Sequence, residues 1–61
     1  MMKKYLTTKE VATLARMSTR TIERLRALGR GPKFYRVGEK GVRYIENDVQ
    51  AWIEKNPVEQ A

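Results

Sequence analysis

The run T-R-T-I-E-R-L-R-A-L-G, Thr19 to Gly29, decides how this chain is read. Ile22, Leu25 and Leu28 recur at i, i+3 and i+6, which puts them on one face of a helix over 19–28. Arg20, Glu23, Arg24 and Ala27 fall on the other face. Ser18 precedes the run, where its hydroxyl can accept from the free backbone N–H groups of the first turn. Met17 and Ile22 take the positions of a hydrophobic staple, and Gly29 is the residue type that closes a helix in the left-handed region. A narrow helix with small and basic outer residues suits a DNA major groove, while the same residues also describe a solvated amphipathic helix. The surrounding chain separates these readings.

Upstream, Leu6-Thr7-Thr8-Lys9-Glu10-Val11 opens an earlier helix. Thr7 and Glu10 have the spacing of a capping box, and Leu6 with Val11 supplies a second staple. This helix runs to about Ala15, with Val11, Leu14 and Ala15 as its inner face and Ala12 small enough for a neighbour to approach. Arg16-Met17-Ser18 then links two helices in three residues, the arrangement of a helix-turn-helix. A turn this tight often needs one residue with positive φ, and Arg16 is the expected holder, at a cost on the order of 1 kcal/mol.

Downstream, Arg30-Gly31-Pro32 breaks the helix. Phe34-Tyr35-Arg36-Val37 and Val42-Arg43-Tyr44-Ile45 are rich in β-branched and aromatic residues, and Gly38-Glu39-Lys40-Gly41 separates them, which predicts a hairpin with a four-residue loop. An isolated two-stranded hairpin is not stable in water, so this one is expected to lean on the helices. Phe34, Val37, Tyr44 and Ile45 offer the apolar contacts, and the pattern leaves open which of them face inward. Tyr35 and Tyr44 are assigned to packing against the helices rather than to base stacking. A last helix opens at Asn47, with Gln50 completing a capping box and Val49, Trp52 and Ile53 on one face. Trp52, the one Trp, is expected to be the largest core contributor, and Asn56-Pro57 ends the helix. Residues 1–4 read as a frayed start and 58–61 as a disordered end, leaving one domain over 1–61 with an ordered core of about 5–55.

Composition narrows the function. At 61 residues there is no room for a deep catalytic cleft, and Cys and His are both absent. An enzyme, a metal site and a bound cofactor are therefore not expected, nor is a signal peptide or a membrane span. The net charge is +6, and it is concentrated. Residues 16–43 hold nine basic side chains against Glu23 and Glu39, a net +7, while the remaining positions balance to −1. That is the pattern of a surface facing a polyanion on an otherwise neutral domain.

The order helix, tight turn, helix, hairpin, helix is a mainly α winged helix-turn-helix with a small β-hairpin wing. Leu6-Thr7-Thr8-Lys9-Glu10-Val11-Ala12, Met17-Ser18-Thr19-Arg20-Thr21-Ile22, Pro32, Val37-Gly38, Val42-Arg43-Tyr44 and Asp48-Val49-Gln50-Ala51-Trp52-Ile53 stand in this order across roughly residues 5–54. In that ordered set the chain resembles the small excisionase-like and AlpA-like proteins, which share the winged-helix fold of the MerR DNA-binding domain. Arg16 departs from the family, which usually carries Gly there.

The resemblance implies sequence-specific binding of double-stranded DNA, with helix 19–28 in the major groove and wing 34–45 on the backbone or an adjacent minor groove. The implied contact residues are Ser18, Thr19, Arg20, Thr21 and Arg24 on the helix, and Lys40 and Arg43 on the wing. Arg20 and Arg24 are one helical turn apart and suit guanine O6 and N7; Thr19 and Thr21 suit phosphate or a thymine methyl. Arg26 and Arg30 lie off the outward centre and are given at most a phosphate-positioning part. Two roles fit equally: a transcription regulator, or an excisionase that directs recombination in a phage or mobile element. The expected partners beyond DNA are a recombinase or integrase, or RNA polymerase, together with cooperative self-association on DNA. The expected location is the cytoplasm of a bacterium, on the nucleoid. The alternative is a protein-interaction module whose basic face meets an acidic partner.

Overall fold

A computed structural model describes residues 4–55. Its elements are β1 (Tyr5–Leu6), α1 (Thr8–Ala15), α2 (Thr19–Ala27), β2 (Phe34–Val37), β3 (Gly41–Ile45) and α3 (Glu46–Glu54). This is a winged helix-turn-helix, mainly helical, with the hairpin β2–β3 as the wing. The strands form one antiparallel sheet in the order β1-β3-β2, so β1, which the sequence reading did not include, covers the other edge of the wing. Two residues are too few to show a strand period, and only the pairing of Leu6 with Tyr44 reveals it.

The helix starts of the first two helices follow local chemistry. Thr7 accepts from the Glu10 backbone N–H at 3.2 Å, and the Glu10 carboxylate accepts from the Thr7 N–H at 2.8 Å. Those contacts hold the Glu10 carboxyl below its ordinary range, the Thr7 backbone hydrogen bond first and the Thr7 hydroxyl second, with the charges of Lys4 and Arg43 adding to them. Ser18 caps α2, accepting from the Thr21 N–H at 3.1 Å. Between the helices Arg16 has φ 58° and ψ 44°, the left-handed conformation expected for the turn. Its position lets the Met17 N–H reach back to the Ala12 carbonyl at 2.9 Å while the Arg16 N–H reaches the Thr13 carbonyl at 3.2 Å, so two of the carbonyls that α1 leaves free are satisfied. Gly29 closes α2 at φ 72°.

Leu6, Val11, Ala12, Ile22, Tyr44 and Val49 form the buried core, with Ala15, Phe34, Val42 and Trp52 packed against it. Several expected inner residues lie elsewhere. On α1 the inward row is Thr8, Val11, Ala12 and Ala15, and Leu14 is exposed. The small Ala12 lets α2 come close, which rolls Leu14 outward. On α2, Ile22 is buried but Leu28 is 60% exposed, because the helix ends at Ala27 and Leu28 sits on its cap; the half-buried Arg26 takes the inward place.

Trp52 is only half-buried, and Tyr44 is the largest fully buried side chain. The indole N–H of Trp52 donates to the Arg30 carbonyl at 2.9 Å, tying α3 to the loop after α2. Nor does Asn47 cap α3, which begins one residue earlier, directly from β3, with Ile45 at the cap position and no side-chain bond there. The Glu46 N–H instead donates to the Lys4 carbonyl at 3.0 Å, so a backbone group of the β1 segment does the work of a cap. Lys4, expected to fray, is thus engaged; residues 1–3, the Asn56-Pro57 stop and the expected disordered end lie outside the described residues.

The register resolves the wing. Phe34 and Leu6 both pair with Tyr44, and Arg36 pairs with Val42, so these five lie on the sheet face toward the core. Tyr35, Val37, Arg43 and Tyr5 lie on the opposite face. Tyr35 therefore does not pack against the helices, and strand alternation is the reason. Val37 pairs with Gly41, which leaves a loop of Gly38, Glu39 and Lys40 rather than four residues. Gly38 takes φ 69° there, and a Cβ on Gly41 would run into the Val37 carbonyl oxygen.

Candidate nucleic-acid interface

The residues expected to contact DNA separate into a helix group and a wing group. Ser18, Thr19, Arg20, Thr21 and Arg24 are all exposed at the start and along the outer side of α2. Burial of Ile22 on the core fixes the roll of this helix, so the outer face is determined by the inner one. Arg20, Thr21 and Arg24 together line a shallow hollow of about 230 Å³. The Ser18 and Thr21 hydroxyls are 2.9 Å apart, so the cap residue and the third residue of α2 hold each other in place. The first turn thus presents two hydroxyls beside Arg20, with Arg24 one turn further along the same face.

On the wing, Lys40 is exposed in the loop beside Glu39. Arg43 is different. It is half-buried, lies on the sheet face turned from the core, and donates from Nη1 to the Val42 carbonyl at 2.8 Å. The structure therefore brings the five helix positions together and leaves Arg43 on another face of the wing from Arg36. Sequence reading passed over Arg36. The signal was present, since alternation from Phe34 puts Arg36 on the same side as that ring.

Arg26 also changes character. Its Nη1 donates to the Tyr44 hydroxyl at 2.9 Å and to the Thr8 hydroxyl at 3.3 Å, and its guanidinium lies 5.7 Å from the Phe34 ring centroid. It braces α1, α2 and the wing against one another before it can position anything else. No sequence period announces this, because its partners are 18 residues away on either side.

Charge is the other feature of the surface. Among the described residues the one ion pair joins Lys4 to Glu46 at 3.9 Å, outside the basic 16–43 belt. Glu23 stands three residues from both Arg20 and Arg26 on α2, yet pairs with neither. The cations of the belt thus have no carboxylate at ion-pairing distance among the described residues, although Arg43 lies near enough to Glu10 to favour its ionised form. A larger hollow of about 320 Å³, between Lys4, Leu6, Lys9, Glu10 and Glu46 among others, shares no residue with either group. Among the described residues no cluster of His, Cys, Asp or Glu is placed to hold a metal ion, and no helix is long and apolar enough to cross a membrane.

Comparison with known proteins agrees with this geometry. The family model of the helix-turn-helix domain matches residues 5–57, which is most of the chain. No curated protein matches it.

Proposed function

The chain belongs to the helix-turn-helix domain family, whose members bind DNA, and from that premise we propose that it is a sequence-specific duplex-DNA-binding protein of the excisionase and AlpA kind, with a MerR-type wing. Residues 1–61 act as one such domain. Helix α2 enters the major groove, and the wing lies on the backbone or the adjacent minor groove. The observation that carries the reading is the outer face of α2: Ser18, Thr19, Arg20, Thr21 and Arg24 are exposed together, and among the described residues no carboxylate pairs with the two arginines. In this reading Arg20 and Arg24 read base edges, Ser18, Thr19 and Thr21 hold the sugar-phosphate strand or a thymine methyl, and Lys40 and Arg43 contact the backbone from the wing.

The biological role is regulation of transcription or direction of a recombinase, in a phage or mobile element. Both use the same DNA surface, and the protein partner follows from the role: RNA polymerase in the first case, an integrase in the second. A domain of this kind buries only about 600–1,000 Å² on DNA, which favours adjacent copies binding cooperatively. The chemistry of the surface is binding, not catalysis, and its place of action is the bacterial cytoplasm.

Selection of bound duplexes from a random pool, followed by footprinting, tests the proposal. Affinity should fall linearly with log salt, with a slope near −4 to −5 for about five phosphate contacts. Arg20→Ala or Arg24→Ala should cost about 1–3 kcal/mol on the selected site and relax preference at one base pair. Lys40→Ala should weaken selected and random duplex alike. Salt-independent affinity, or loss of binding to duplex with retention of an acidic protein, would overturn the reading.

A further inference from the structure

The junction between α2 and the wing holds an arrangement that the reading above does not use. Phe34 has two guanidinium groups near its ring: Arg26 at 5.7 Å from the centroid and Arg36 at 5.9 Å. Neither has a carboxylate at ion-pairing distance among the described residues. Two like charges gathered on one ring without an anion repel each other, and the half-buried one has given up part of its hydration as well. A fully buried arginine is almost never left unpaired, and half-buried Arg26 is part of the way to that condition. Here its hydrogen-bond partners are the neutral hydroxyls of Thr8 and Tyr44, which orient the group and leave its charge intact.

The geometry of Arg26 adds a second point. Both recorded bonds use Nη1, so Nη2 and Nε have no acceptor among the described residues. They are not sealed in either, since among the described residues no buried side-chain nitrogen is left without a partner. One edge of the guanidinium is therefore anchored and another is open. The cavity beside it, about 260 Å³, is bounded by Arg26, Gly29, Gly31, Pro32, Lys33 and Phe34. Gly31 lets the loop pass close to α2, where a Cβ would lie 3.4 Å from the backbone nitrogen of Arg26 and 3.5 Å from the Leu25 Cβ.

From this we infer that Arg26 and Arg36, held about Phe34, form a clamp for one backbone phosphate at the flank of the α2 contact. The inference rests on the duplex-DNA reading and adds to it a specific anion site and a positioning role for Tyr44. A phosphodiester fits because a guanidinium fork matches its paired oxygens, and one anion shared by the anchored Arg26 and the exposed Arg36 offsets their repulsion. Arg26 arrives pre-oriented by Tyr44 and Thr8, so little side-chain freedom is lost on binding. Lys33 borders the cavity but is not part of the clamp, since its ammonium is directed to Tyr35 on the other sheet face, 5.9 Å from that ring centroid.

Scanning the bound duplex with single neutral methylphosphonates tests the clamp. For the wild type, one position beside the α2 footprint should weaken binding about tenfold, the size of one charge-assisted contact. Arg36→Ala, an exposed position, should weaken binding to unmodified duplex by a similar factor, lower the salt slope by about one unit, and abolish sensitivity at that one phosphate. Tyr44→Phe, which keeps Arg26 and its charge but removes its anchor, should reduce the sensitivity at the same phosphate while circular dichroism stays native. Lys33→Ala should leave the phosphate profile as in the wild type. The clamp is overturned if Arg36→Ala and Lys33→Ala lower affinity equally and the profile of each retains the sensitive phosphate. A wild type that binds no duplex would instead sink the underlying DNA reading, so the two failures are distinct.

Discussion

The two halves of this molecule are held by different kinds of information. Through α1 and α2, each start, stop and turn is governed by residues within about one helical turn: Thr7 with Glu10, Ser18 with Thr21, Arg16 at φ 58°, and Gly29 at φ 72°. From β2 onward the governing partners are remote. The wing is closed by β1, α3 takes its cap from the Lys4 carbonyl, and Trp52 reaches the Arg30 carbonyl. The contrast teaches that a cap-like pattern in sequence is an offer, taken up only where the backbone N–H groups are not already claimed. Asn47 and Gln50 have the same spacing as Thr7 and Glu10, yet β3 runs straight into α3 and the Lys4 carbonyl reaches its first N–H before Asn47 can matter.

The sharpest break in that comparison would come at Tyr44. It is fully buried, pairs across the sheet with both Leu6 and Phe34, and accepts from Arg26. Tyr44→Ala should cost roughly 3–5 kcal/mol, nearly the whole stability of a domain this small, and far-ultraviolet circular dichroism should show it largely unfolded. Trp52→Ala, at a half-buried site, should cost distinctly less under the same urea titration. An equal loss for the two would mean that the second half has no single centre at Tyr44.

Caps come next in size. Thr7→Ala and Ser18→Ala should each lower stability by about 0.5–2 kcal/mol. Asn47→Ala should stay within about 0.5 kcal/mol of the wild type, because no cap bond is lost. Urea midpoints of the three variants decide it; an Asn47 effect as large as that of Ser18 would erase the distinction between local and remote capping.

A smaller effect of opposite sign is expected at the turn. Arg16 occupies the left-handed region, where a Cβ is disfavoured, so Arg16→Gly should raise stability by about 0.5–1 kcal/mol. A lower melting temperature for that variant would show that the side chain itself, and not the backbone, secures the link.

The smallest concerns pH. The Thr7 contacts depress the Glu10 carboxyl below its ordinary value of 4.5 in the folded state. The stabilisation is therefore fully present above that value and is lost as pH falls through the lower, folded one. Glu10→Gln should flatten the acid limb of stability against pH and change little near neutrality beyond the cost of the lost charge. Denaturation midpoints between neutrality and strong acid measure it, and identical acid limbs for the two proteins would show that the capping box does not couple to the titration.

For the candidate interface, legibility followed the same divide. The helix group could be read from the 19–28 period because the buried position of Ile22 fixes where Arg20 and Arg24 point, and that relation is internal to one helix. The wing group could not be read in the same way. Whether Phe34 or Tyr35 faces the core depends on register, since successive side chains alternate and one residue of slip exchanges the faces. Fixing that register required the pairings of Tyr44 with Phe34 and of Val37 with Gly41.

The sequence by itself determined the helix-turn-helix: its caps, its left-handed link, its basic outer face and the existence of a hairpin all follow from contacts spanning at most about four residues, where spacing is geometry. Tertiary structure alone decided that Tyr5 and Leu6 form a strand, that Lys4 caps α3, and that Arg26 turns inward onto Tyr44, Thr8 and Phe34. Apart from the nearer Phe34, these depend on partners 18 or more residues away, brought together by burying apolar surface, a force without direction that specifies which side chains are covered but not which polar groups meet at their edge.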